Sequence, residues 1–109
     1  MVKKLEKVIR NGKVAVLYSP GFGAGWYSWN TKNKELLFHP TLVKMVEEGK
    51  QNEITEEFIE NELNISDIYA GGSETLTIEW IPEGTLFRIT EYDGSESIIT
   101  MDTDDYIQA

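Results

Sequence analysis

A chain of 109 residues has room for one domain that buries roughly 65 % of its unfolded surface, so it needs no covalent staple. It contains no cysteine, which removes disulfide scaffolds, thiol catalysis and thiolate zinc sites together. Nineteen acidic residues against ten basic ones give a formal charge of −9, and such a surface repels DNA and RNA unless its few cations are concentrated.

The chain opens on MVKKLEKVIR, and Lys3, Lys4, Lys7, Arg10 and Lys13 supply half of all its basic residues. No apolar run of signal-peptide length follows, and nothing approaches the roughly 20 apolar residues of a membrane span, so a cytoplasmic protein with no membrane partner is expected. Leu5 to Arg10 and Lys13 to Ser19 flank Asn11-Gly12, a dipeptide suited to a two-residue hairpin turn. Within the second of these strands Val14, Val16 and Tyr18 alternate with Ala15 and Leu17. Both sets are apolar, which predicts an inner strand covered on two sides.

Next comes YSPGFGAGWYSWN, with Gly21, Gly23 and Gly25 at alternate positions and Phe22, Trp26, Tyr27 and Trp29 among and after them. Glycines that dense point to unusual dihedrals or to close approach of other atoms to the backbone. The aromatic residues then either plug the chain's own core or wall a ligand pocket. Residues Thr31 to His39 fit either a short strand or a helical turn. Pro40 suits a first helical position, Leu42, Val43, Met45 and Val46 form an apolar stripe, and Gly49 is placed to end that helix. A second helix starts after Thr55 as N-cap, with Ile54 stapling to Ile59 and Phe58, Ile59 and Leu63 on its buried face. Glu56, Glu57, Glu60 and Glu62 make its outer face negative.

The last third reads as an antiparallel meander. A short strand at Ser66 to Ala70 is followed by strands at Thr75 to Ile81, Thr85 to Tyr92 and Ser95 to Met101, with turns at Pro82-Glu83-Gly84 and Asp93-Gly94. If those turns carry one register throughout, the core face holds Leu76, Ile78, Trp80, Leu86, Arg88, Thr90, Tyr92, Ile99 and Met101. The opposite face keeps Ile81, Phe87, Ile89 and Ile98, and this large apolar surface predicts self-association, as a dimer. Asp102, Asp104 and Asp105 belong to an acidic tail over residues 102–109. The fold class expected is therefore α+β: a single domain, 1–109, with a mostly antiparallel sheet made of an N-terminal hairpin and a C-terminal meander, and two short helices between them.

Catalytic constellations are scarce. His39 is the only histidine and stands as a capping or structural residue, so neither a zinc site nor a catalytic triad is supported. GFGAG lacks the third glycine of a dinucleotide fingerprint and the Lys-Ser/Thr of a phosphate-binding P-loop. The spacing of the C-terminal aspartates does not make a calcium loop. No cofactor and no metal are expected.

The stretches AVLYSPGFGAGWYSWN, ELLFHPTLVKMVEEGK and IEWIPEGTLFRITEYDGSESI resemble a family of small uncharacterised proteins encoded by tailed bacteriophages and prophages. The resemblance runs over about residues 13 to 98, with SPGFGAGW and WIPEGTLFRI followed by EYDGSE as its specific parts. It implies a phage origin and the cytoplasm of an infected bacterial host, and it brings no catalytic residues with it. A non-enzymatic accessory protein is then expected to bind and sequester a small nucleotide-derived ligand, such as a signal of host immunity. The residues for this are Gly21, Phe22, Gly23, Gly25, Trp26, Tyr27 and Trp29 of the loop, with Arg88 on a phosphate and Arg10 beside it. The alternative is an acidic interaction module or nucleic-acid mimic that inhibits a host protein through its glutamate-rich helix. A metal-dependent phosphodiesterase is the third possibility.

Overall fold

The computed structural model describes residues 6–21 and 25–101, and Leu5, Phe22, Gly23 and the acidic tail lie outside them. The elements are β1 (Ile9–Arg10), β2 (Lys13–Tyr18), α1 (Pro40–Glu47), α2 (Glu56–Leu63), β3 (Thr77–Pro82), β4 (Leu86–Tyr92) and β5 (Ser95–Met101). The architecture is α+β. An antiparallel sheet in the order β1-β2-β3 is accompanied by a separate antiparallel ribbon, β4-β5.

Local chemistry accounts for the boundaries. Asn11 and Gly12 take φ of 52° and 75°, and Asp93 and Gly94 take 50° and 84°, the left-handed pairs that let a two-residue turn follow the twist of its strands. His39 Nδ1 accepts the Thr41 amide at 3.2 Å to cap α1, and Pro40 occupies its first turn. Thr55 Oγ1 accepts the Phe58 amide at 3.0 Å to cap α2. Gly49, at φ 73°, ends the first helix, and Asn64, at φ 57°, ends the second.

β2 is the strand about which the domain is built. On one face, Ala15 and Leu17 pack into a core with Trp26, Leu36, Leu42, Val43, Ile54, Ile59 and Leu76. On the other, Val14 and Val16 meet Leu37, Phe38 and Ile81, with Phe87, Ile89 and Ile98 of the ribbon laid over them. A strand apolar on both faces thereby has both faces covered, as its sequence required.

The expected meander does not form. β3 pairs with β2, from Lys13 opposite Pro82 to Tyr18 opposite Thr77, and not with β4. At the turn over 82–85 Thr85 N donates to Pro82 O at 3.0 Å, while Glu83 N extends the β2–β3 ladder by donating to Gly12 O at 2.8 Å, and past this turn the chain enters the second sheet, where the inward side chains of β4 pack over β2 instead of continuing the first sheet. Register therefore does not carry across it. Leu76 is buried, with Ile78 and Trp80 packed beside it, as expected, yet the faces of the ribbon are exchanged. Phe87, Ile89 and Ile98 face inward, whereas Leu86 is 67 % and Tyr92 76 % exposed, with Ile99 exposed as well. One further correction concerns the short strand expected at Ser66 to Ala70, while the ambiguous segment Thr31 to His39 resolves to the second of its two alternatives. Residues 66–70 form no strand, and Lys34–Leu37 form a 3₁₀ turn.

Candidate functional site

The loop after β2 is organised by a residue far away in sequence. Glu96 at the start of β5 is 1 % exposed. Its Oε1 accepts the Ser19 amide at 2.8 Å, and its Oε2 accepts the Trp26 amide at 2.9 Å together with the Ser28 amide and hydroxyl, both at 2.7 Å. A carboxylate taken out of water needs compensation, and four donors supply it, with no cation of a described residue among them. Sequence alternation held the clue: Glu96 is in phase with the inward-facing Ile98, so a charged side chain was due on a buried face.

Gly21 and Gly25 serve this same closure. A Cβ on Gly25 would collide with Ser28 Oγ and lie 2.8 Å from Trp29 Cδ1, and one on Gly21 would lie 2.7 Å from Thr75 Cγ2. What approaches these two glycines so closely is the chain itself. Trp26 is fully buried, and its indole Nε1 donates to Leu36 O at 2.9 Å, so its ring plugs the core. Trp29 is 44 % exposed and stacks on Tyr69.

The fold does bring Tyr27 and Arg88 together. They line a groove of about 450 Å³ whose other walls are Lys34, Leu37, Phe38, Phe87 and Ile89. Phe38 and Phe87 meet edge to face with centroids 6.1 Å apart, and Lys7 Nζ sits 4.8 Å from the centre of the Phe38 ring. Arg88 is exposed, not buried in the core as its expected register implied, and neither it nor Lys34 forms an ion pair with a described residue. Two cations without an ion pair to a described residue thus stand beside aromatic rings in one groove. Lys34, Phe38 and Phe87 are not among the residues the sequence points to, because Lys34 and Phe38 lie in the ambiguous segment Thr31 to His39 and Phe87 falls on the face opposite the expected core.

No family model matches the chain, and neither do curated proteins or solved structures.

Arg10 is placed elsewhere. Its guanidinium forms a two-pronged pair with Glu47, at 2.5 and 2.9 Å, and lies over Trp80 at 5.3 Å from the ring centre. The pair holds Arg10's pKa above its ordinary value, first through the hydrogen bond and then through the Glu47 charge. Trp29 lines a different groove, with Asn30 to Asn33, Ser66 and Asp67. Among the described residues, no three His, Asp or Glu side chains gather where they could hold a metal ion, and no helix is long and apolar enough to cross a membrane.

Proposed function

We propose that the protein sequesters a small nucleotide-derived ligand in the groove between the loop and the ribbon, with Tyr27 against the base and Arg88 and Lys34 on phosphate. The observation that carries this reading is the meeting, in one groove, of aromatic walls and two cations that form no ion pair with a described residue. Stacking on an aromatic contributes about 1–3 kcal/mol and a charge-assisted hydrogen bond about 1.5–3 kcal/mol, enough in combination for useful affinity. Sequestration requires only binding: the free concentration of a host immune signal falls as the protein accumulates. Gly21 and Gly25 support the site indirectly, since they let Glu96 close the loop that presents Tyr27.

The test is calorimetric titration with nucleoside monophosphates, cyclic dinucleotides and ADP-ribose. We expect one class to bind, and Arg88→Ala or Lys34→Ala to lose about tenfold or more in affinity with unchanged thermal unfolding. Retention of full affinity in both variants, or silence across the panel, would set the reading aside and leave the exposed Glu57, Glu60 and Glu62 of α2 as the surface to examine for a host protein.

A further inference from the structure

The groove beside Trp29 has a chemistry of its own. Trp29 and Tyr69 lie on two loops far apart in sequence, each close to half exposed, and they stack with centroids 5.1 Å apart and planes 20° apart. Asn30 fixes both loops. Its Nδ2 donates to Trp26 O at 2.7 Å and to Tyr69 O at 2.9 Å, and its Oδ1 accepts the Tyr69 amide at 2.8 Å. Because Asn30 is buried and fully used, the aromatic pair stands on a rigid base before any ligand arrives.

Next to Trp29 the groove, of about 440 Å³, is walled by short polar side chains: Thr31, Asn33, Ser66 and Asp67, with Lys32. The side chains of Asn33, Ser66 and Asp67 make no hydrogen bond with a described residue, and Ser66 and Asp67 are exposed. Asp67 is held at φ 59°, a left-handed conformation. One cation and one anion cancel, and Asp67 would oppose a phosphate. An aromatic surface bordered by hydroxyl, amide and carboxylate groups matches a neutral ligand with one apolar face and a rim of hydroxyls. A pyranose ring is built in that way.

We propose that this groove is a saccharide-binding site, in which the C–H face of a neutral pyranose lies on the Trp29 indole and ring hydroxyls meet Asn33, Ser66 and Asp67. The inference is independent of the nucleotide reading, which uses other walls.

Saturation-transfer NMR with maltotriose, cellotriose and chitotriose at millimolar concentration, supported by tryptophan fluorescence, tests it on the full chain. At least one of the three should receive saturation and bind reversibly, with loss of about tenfold or more in Trp29→Ala. Asp67→Asn keeps a residue that tolerates the left-handed backbone and leaves packing untouched, and should weaken binding by about threefold to tenfold. Arg88→Ala should bind saccharide as the parent does. No transfer to any of the three sugars would overturn the proposal, as would transfer undiminished in both groove variants or abolished equally by Arg88→Ala.

Discussion

The amide of Trp26 donates to Glu96 Oε2 at 2.9 Å across 70 positions of sequence, and this bond joins the glycine-rich loop to the last hairpin. Glu96→Ala would leave the Ser19, Trp26 and Ser28 amides without an acceptor in a buried place, at about 3–5 kcal/mol. Glu96→Gln preserves shape but turns an NH₂ toward donors, and should be intermediate. Urea unfolding with an unchanged denaturant slope would show both losses. A Gln variant as stable as the parent would mean that the second carboxylate oxygen is dispensable.

The two loop tryptophans should behave oppositely. Trp26→Ala removes a fully buried ring and its indole hydrogen bond, and is expected to cost about 3–5 kcal/mol. Trp29→Ala removes a half-exposed ring with one stacking partner, and about 1 kcal/mol is expected. Thermal melts of the two variants side by side decide this, and a reversed order would contradict the placement of either ring.

The hydrogen bond from Arg10 holds the Glu47 carboxyl below its usual range, with burial opposing the shift and the Arg10 charge adding to it. A group whose pKa is lower folded than unfolded stabilises the protein above the ordinary carboxylate value, and that contribution disappears as pH falls through the lowered one. The melting temperature of Glu47→Gln should therefore sit slightly below the parent's at neutral pH and converge with it in acid. Both side chains are exposed, so high salt should narrow the neutral-pH gap.

Turns and caps were legible in the sequence because their causes are local. Asn11-Gly12, Asp93-Gly94, Pro40 and Thr55 each specify a backbone conformation within a few residues, and each is found where its chemistry puts it. Strand partnership is different. That β3 pairs with β2 and that β4 pairs with β5 alone is invisible to alternation along a single strand. The same gap explains Arg88: once the ribbon left the first sheet, the inward face changed and the arginine moved from the expected core to a groove wall. Of the expected ligand residues, Tyr27 and Arg88 share a groove, while Trp26, Trp29 and Arg10 were dispersed by contacts that arise only in three dimensions.

The placement of β2 between β1 and β3 has a consequence during synthesis. Its VAVLY run leaves the ribosome early and can fold back on β1 at once, but the partner for its other edge, from Thr77 to Pro82, is translated much later. At roughly 5–20 residues per second, that edge stays unpaired for several seconds. In that interval a short, apolar, β-branched segment is open to pairing with other nascent chains. Lys13 at its start and Pro20 just past its end are the residues that limit such pairing, so their replacement by apolar residues would reduce the yield of soluble protein more than the stability of the finished fold.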